Sequence, residues 1–168
     1  MKLMLVRHAP AGDRLAWAAA GKDDFVRPLV PEGRRRMREA ARGLARLVDA
    51  PGALATSPLV RAVQTADVVA RALDVPAAEE LDALRPGSPP RVLLPWLRAH
   101  RGADLVAAVG HEPHLGALAS WLLAGRTRPF LALKKGGACL LDLGASPGEG
   151  AGMLLWMVAP GQLRRLGR

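Results

Sequence analysis

The stretch that decides the fold is residues 1–12, which read MKLMLVRHAPAG. Its apolar run, LMLV at 3–6, is followed by a loop of Ala, Pro and Gly, which is typical of a short buried strand. Arg7 and His8 lie where this strand ends. Ligands bind outside the carboxyl ends of the strands in open α/β sheets, so the position predicts a binding role for this pair. Arginine supplies a fixed cation, and histidine an imidazole that can be neutral at physiological pH.

Length and composition bound the class of protein. The chain has 168 residues, half of them hydrophobic, which predicts one globular domain over residues 1–168. A single cysteine, Cys139, excludes an intramolecular disulfide and a cysteine-rich metal site. No apolar run approaches the length of a membrane span, and the first residues do not follow the pattern of a signal peptide. We therefore expect no membrane association and a cytoplasmic location.

The formal net charge of +9 predicts attraction to anionic partners. Nucleic acid is one such partner, but the chain has no tyrosine, two phenylalanines and no interleaving of aromatic and basic residues that would suit base stacking. We therefore expect no nucleic-acid binding, and we expect the charge to serve phosphorylated partners.

Predicted strands alternate with predicted helices along most of the chain. Apolar runs at 53–56 and 103–110 predict two further buried strands, and residues 76–81 predict a short one. The last two strands, at 137–143 and 153–159, have no helix between them and should be antiparallel to each other. The pattern predicts an α/β fold, a single-domain three-layer αβα sandwich whose mainly parallel sheet has an antiparallel edge near the C-terminus.

Three local predictions concern the helices and the tail. Ser57 and Pro58 are the predicted N-cap and first residue of one helix. Another amphipathic helix, at 31–48, places apolar residues on one side and arginines, from Arg34 to Arg46, on the other. That arginine face is either a solvated surface or a docking surface for an acidic partner, and the sequence leaves both open. The basic tail, residues 162–168, is expected to fray.

Ionisable residues follow three of the predicted parallel strands. Arg7 and His8 follow the first strand, and Arg61 lies in the first turn of the helix after the second. His111 follows the strand at 103–110. The carboxyl ends of parallel strands meet at one edge of a sheet, so these side chains should share a pocket, beside helix N-termini that also attract anions. Arginine binds phosphoryl oxygens bidentately, and histidine can attack phosphorus or donate a hydrogen bond, so the sequence predicts a phosphate site.

These motifs resemble those of the histidine phosphatase superfamily, whose signature is Arg-His-Gly near the N-terminus. The matching segments occur in the family's order, and they are LVRHA at 5–9, TSPLVRAVQTA at 56–66 and GHEP at 110–113. Arg27-Pro28-Leu29, followed by Gly33, is similar to the family's opening of its first helix. The LRPG segment at 84–87, the compact length and the tail from Trp156 to Leu163 resemble the short branch typified by the SixA-type phosphohistidine phosphatases.

The resemblance implies a metal-independent phosphohistidine phosphatase without a cofactor. His8 would be the nucleophile that becomes transiently phosphorylated. Arg7 and Arg61 would hold the phosphoryl group, and His111 would complete the pocket. Arg27 is a further candidate at the rim of the pocket. The implied partner is a protein carrying phosphohistidine, or a small phosphate ester.

Two positions depart from the family pattern, and one further histidine needs placing. Ala9 stands where the family has Gly, and Val30, where Thr is usual, removes a helix-capping hydroxyl. His114 lies close to His111, but no carboxylate cluster accompanies the pair, so we expect no metal site. We expect His114 on the helix surface or at the pocket rim.

Two other functions stay open: a phosphatase or mutase for small phosphate esters, and a non-catalytic module that binds phosphate or a phosphoprotein. Larger members of the superfamily protonate the leaving group with a Glu. Here the corresponding region offers Glu80 and Asp82, either as a general acid or as solvated carboxylates. A phosphohistidine needs this help less, because imidazole is a better leaving group than an alkoxide.

Overall fold

One twisted sheet forms the middle of the molecule. The computed structural model describes residues 1–168, and its six strands lie in the order β3-β2-β4-β1-β5-β6. The strands are β1 (Lys2–Arg7), β2 (Ala53–Thr56), β3 (Glu79–Glu80), β4 (Leu105–Gly110), β5 (Ala138–Asp142) and β6 (Met153–Val158). β1 pairs in parallel with β4, β4 with β2 and β2 with β3, whereas β5 is antiparallel to both β1 and β6. The predicted parallel sheet with an antiparallel C-terminal edge is confirmed.

Helices cover both faces of the sheet. They are α1 (Arg14–Ala19), α2 (Pro31–Leu44), α3 (Val60–Leu73), α4 (Leu94–Ala99), α5 (His114–Ala124) and α6 (Pro160–Leu166), with short 3₁₀ turns at Asp24–Val26, Asp82–Leu84 and Pro90–Leu93. None of the helices combines the length and the apolar character that crossing a membrane requires.

Side chains of β1 point alternately to the two faces of the sheet, and each face has its own apolar cluster. Met4 and Val6 point to one apolar cluster, which they share with α2, α3 and α6. Leu3 and Leu5 point to the other cluster, with α4 and α5. All four side chains are fully buried, as expected for a central strand that is covered on both faces. The three-layer prediction is confirmed.

The helix after β2 begins later than predicted. α3 starts at Val60 with Leu59 as its N-cap residue, so the prediction of Ser57 as N-cap and Pro58 as first helical residue is wrong. The Ser57 amide instead donates to the Val109 carbonyl at 3.0 Å, which extends the strand pairing by one residue. The Ser57 side chain is therefore available for a contact in the site rather than for capping.

The basic tail is a packed helix, so the prediction that it frays is wrong. α6 lies against α2, and Leu163 is fully buried between them. Glycine makes this approach possible, because a Cβ at Gly43 would collide with the Leu163 carbonyl. The buried Leu163 and the hydrogen bond from Arg42 Nε to the Gly167 carbonyl hold the tail against α2.

The arginines of α2 lie mostly on its outer side. Arg35 and Arg36 are half exposed and pair with Glu32 at 2.8 and 2.7 Å. Exposed pairs of this kind contribute little stability, so this face is consistent with a solvated surface. Docking of an acidic partner there stays a prediction.

The outer edge of the sheet is apolar and open. β6 pairs only with β5, and its side chains at Met153, Leu154, Leu155 and Met157 are between 40% and 68% exposed. No charged residue occurs in the segment MLLWMV that forms this strand.

Candidate active site

The four residues predicted to converge do meet at the carboxyl edge of the sheet. β1 and β4 are in register so that Arg7 faces Gly110, and the residues that follow them are His8 and His111. Together with Arg61, from the first turn of α3, they line a cavity of about 610 Å³. Ten of its fourteen lining residues have ionisable side chains, which suits a charged ligand rather than an apolar one.

His8 is held as a neutral imidazole in one tautomer. Its ring is 5% exposed, and Nδ1 lies 2.8 Å from the Ala9 carbonyl. Because a carbonyl only accepts, Nδ1 carries the proton and Nε2 keeps its lone pair. Burial lowers the pKa of His8 to about 3, the Ala9 hydrogen bond opposes this, and the charges of Arg61 and Arg7 add to it. At neutral pH the ring is therefore uncharged, with a proton on Nδ1 and a free lone pair on Nε2.

Arg7 and Arg61 are each anchored at one end of the guanidinium. Arg7 Nη1 donates to the Leu133 carbonyl at 2.7 Å. Arg61 Nη1 and Nη2 donate to the backbone and side chain of Asp24 at 2.8 and 2.9 Å. The Nε atoms of both arginines are buried without a hydrogen-bond partner. Buried donors without an acceptor are costly, and such groups are uncommon in folded proteins away from functional sites.

His111 completes the cavity beside His8. The ring centroids lie 5.1 Å apart, and His111 Nε2 is 2.8 Å from Ser57 Oγ. Burial, together with the neighbouring His8 and Arg61, lowers the pKa of His111 to about 2, so the ring is neutral at neutral pH. The Ser57 hydroxyl can donate this hydrogen bond to Nε2, and Nδ1–H is then a buried donor without a partner.

Arg27 lies where the sequence placed it, at the cavity wall. It is 6% exposed, and it donates to Asp24 Oδ1 and to the Gly12 carbonyl, both at 2.7 Å. Two of its nitrogens are therefore already engaged within the protein. Its charge still adds to the positive field of the cavity.

Asp24 is a residue of the site that sequence reasoning missed. One carboxylate joins Arg27 and Arg61, and the 3₁₀ turn that carries it belongs to a segment with little periodicity. Partial burial acts to raise its pKa, but the hydrogen bond from Arg27 and the charge of Arg61 hold that pKa below its ordinary value. The only signal in the sequence was the spacing of three residues between Asp24 and Arg27.

Glu112 was quoted within a motif but given no role. Its Oε1 accepts from the Leu133 amide at 2.7 Å, and its Oε2 from the Gly116 amide at 3.3 Å. Arg14 and Lys135 also line the cavity, and no motif in the sequence indicated either position. Their side chains are exposed and enlarge the positive surface around the opening.

The other candidates lie away from the cavity. Glu80 is exposed, and Asp82, 82% exposed, pairs with Arg85 at 2.9 Å, so neither carboxylate lines the cavity. His114 is 4% exposed, so the prediction of a surface or rim position is wrong. It stands at the first residue of α5, where the helix packs against the core, and burial lowers its pKa. No group of three or more His, Cys, Asp or Glu side chains is placed to hold a metal ion.

Comparison with known proteins gives consistent similarities. Residues 3–85 match the family model described as histidine phosphatase superfamily (branch 1). The chain is 35% identical over 148 residues to an uncharacterized protein of Picosynechococcus sp. (strain ATCC 27264 / PCC 7002 / PR-6), and the match covers 87% of each. It is 29% identical over 167 residues to the phosphohistidine phosphatase SixA of Escherichia coli (strain K12), covering 98% of this chain and 97% of that protein.

A solved structure shares the whole fold. The protein histidine phosphatase SixA complexed with tungstate superposes with a TM-score of 0.79 at 29% identity, over 97% of this chain and 99% of the other.

Proposed function

Because the chain belongs to the histidine phosphatase superfamily, we propose that it removes the phosphoryl group of phosphohistidine on a protein, through a covalent intermediate on His8. The observation that carries the proposal is the state of His8. It is a neutral imidazole with Nδ1–H fixed by a carbonyl, between two arginines whose buried Nε–H groups have no acceptor.

The first chemical step follows from these positions. The lone pair on His8 Nε2 attacks phosphorus, and the bond from phosphorus to the leaving nitrogen breaks, with its electron pair going to the leaving imidazole. Arg7 and Arg61 meet the charge that spreads over the equatorial oxygens. His111 Nδ1–H donates to one of these oxygens. Water then attacks the phosphorylated His8 and releases phosphate, which returns His8 to its neutral form.

The leaving group decides which substrates turn over quickly. Glu80 and Asp82 lie outside the cavity, and Asp24, whose pKa is lowered, is ionised and cannot supply a proton. Of the other carboxylates that line the cavity, Asp13 accepts from the Ala16 amide, and Glu112 accepts from the Leu133 and Gly116 amides. With these carboxylates engaged as acceptors, we propose that an alkoxide leaving group lacks general acid catalysis, which is worth about 10²–10⁴-fold. Imidazole can leave already protonated on its other nitrogen, so phosphohistidine does not need this acid.

The test compares three substrates with wild type and His8→Ala. We expect high kcat/KM on a phosphohistidine peptide, fair activity on p-nitrophenyl phosphate and very poor activity on an alkyl phosphate. His8→Ala should abolish all turnover while the far-UV spectrum is retained. The trapped intermediate should be labile in acid and stable in alkali, as a phosphoramidate is. An acid-stable label, or substantial turnover by His8→Ala, would overturn the mechanism.

The same assay separates the two alternative functions. Comparable efficiency on an alkyl phosphate would favour a small-ester phosphatase or mutase. Binding of phosphate without turnover of any of the three substrates would favour a non-catalytic binding module. Variants Glu80→Gln and Asp82→Asn serve as matched controls, and each should change the phosphohistidine rate by less than about tenfold because neither side chain lines the cavity.

A further inference from the structure

We propose that Glu112 is a positioning residue for Arg7, acting through the main chain of Leu133. The inference rests on the proposed function in one respect, that Arg7 binds the phosphoryl group.

Leu133 stands between the two side chains and gives each of them one backbone group. Its carbonyl accepts from Arg7 Nη1 at 2.7 Å, and its amide donates to Glu112 Oε1 at 2.7 Å. The peptide units on both sides of one residue are thus fixed by one cation and one anion. A change in the position of the Glu112 carboxylate therefore moves the acceptor that orients Arg7.

The segment that carries Leu133 has little else to hold it. Residues 126–134 form neither helix nor strand, so no ladder of backbone bonds fixes the Leu133 carbonyl. The Leu133 side chain is 1% exposed, which anchors the residue in the core but does not set the direction of its peptide groups. The carboxylate of Glu112 supplies that direction.

Glu112 is itself rigidly placed. It follows His111 directly, and its second oxygen accepts from the Gly116 amide in the first turn of α5. A Cβ at Gly116 would lie 2.5 Å from the Leu131 carbonyl oxygen and 2.9 Å from Glu112 Oε2, so the glycine lets α5 approach the backbone of the loop that carries Leu133. The helix, the carboxylate and the loop therefore form one connected support under Arg7.

The two phosphate-binding arginines are supported independently. Asp24 contacts Arg61 directly, whereas Arg7 has no carboxylate in contact and depends on Leu133. The negative charge of Glu112 also opposes the lowering of the Arg7 pKa by burial. Removal of the Glu112 carboxylate should therefore disturb the position of Arg7 and leave that of Arg61 unchanged.

A double-mutant cycle tests this coupling. Glu112→Met has similar length and no acceptor, and Glu112→Gln keeps one oxygen for the Leu133 amide. Each is measured in wild-type, Arg7→Lys and Arg61→Lys backgrounds, by kcat and KM for p-nitrophenyl phosphate and by the Kd of inorganic phosphate. We expect Glu112→Met to lower kcat/KM about tenfold and to weaken phosphate binding, and Glu112→Gln to restore most of both. In the Arg7→Lys background Glu112→Met should have an effect of less than about twofold, and in the Arg61→Lys background its full effect.

An equal effect of Glu112→Met in all three backgrounds, or no effect in wild type, would refute the role. If Glu112→Met does not fold, Glu112→Ala enters the same cycle. Phosphate binding requires no turnover, so a protein inactive on phosphohistidine would contradict the proposed function and leave this test intact.

Discussion

Lowering the pH from 7.5 to 5.0 should destabilise the folded protein by about 4 kcal/mol through two buried rings, His8 and His111. In the folded protein burial lowers the pKa of His8 to about 3 and that of His111 to about 2, from 6.5. Between these values and 6.5 the unfolded chain binds more protons than the folded one. The two neutral rings therefore make their full contribution to the free energy of unfolding above pH 6.5. That contribution is lost as the pH falls below 6.5.

The size of this destabilisation follows from how far the pH lies below 6.5, the ordinary pKa of a histidine. At pH 5.0 the unfolded ring is about 1.5 pH units below its pKa, and one unit corresponds to about 1.4 kcal/mol, so each ring contributes about 2 kcal/mol. Both rings are at most 5% exposed, so solvent does not screen this difference. For a chain of this length the change corresponds to a Tm lower by about 10 °C. Burial lowers the pKa of His114 as well, which adds to the effect in the same direction.

Urea unfolding at pH 7.5, 6.5, 5.5 and 5.0 measures the change. The control is the double variant His8→Asn, His111→Asn, whose asparagine side chains do not titrate. Between pH 7.5 and 5.0 its free energy of unfolding should fall by about 4 kcal/mol less than that of the wild type. Glu32, with a pKa of about 2, protonates well below this window. If the double variant loses as much stability between pH 7.5 and 5.0 as the wild type does, the two rings are not neutral in the folded state and the reasoning fails.

Three further outcomes are expected. Prolonged chelation should leave turnover of p-nitrophenyl phosphate unchanged, because guanidinium groups meet the phosphoryl charge; loss of activity that one metal restores would contradict this. Asp24→Ala should lower kcat/KM about tenfold, because Arg61 Nη2 loses its carboxylate partner while Nη1 keeps the Asp24 backbone carbonyl, and Asp24→Asn should lower it less; an unchanged value in Asp24→Ala would show that Arg61 needs no carboxylate anchor. Leu163→Ala should cost about 2–5 kcal/mol in urea unfolding, and an effect below about 1 kcal/mol would mean that α6 is not firmly packed.

Much of the fold and the family were predictable because the sequence signals were local and strong. Buried parallel strands give continuous apolar runs, so β1 and β4 were found with nearly correct bounds. The register of the sheet then brings Arg7, His8 and His111 to one edge, as the order of the strands required. The resemblance to the histidine phosphatase superfamily is confirmed. The catalytic roles of these residues stay predictions.

The supporting carboxylates could not be predicted in the same way. Asp24 and Glu112 reach partners that are 37 and 21 residues away in sequence, Arg61 and Leu133, and no periodic pattern encodes such contacts. The start of α3 was misplaced for a related reason. Ser57 is a good N-cap by type, but pairing with β4 holds it in the strand, so a tertiary contact overrides the local preference.

The apolar edge strand β6 bears on how the protein behaves in concentrated solution. Its outer backbone groups and its exposed Met153, Leu154, Leu155 and Met157 form a surface on which the strand of another molecule can pair. The molecules share a net charge of +9, so they repel one another over a range set by the ions around them. That range shrinks from about 30 Å at 0.01 M salt to about 10 Å at 0.1 M. Added salt therefore brings these edges within reach of one another, and turbidity should rise with ionic strength rather than fall.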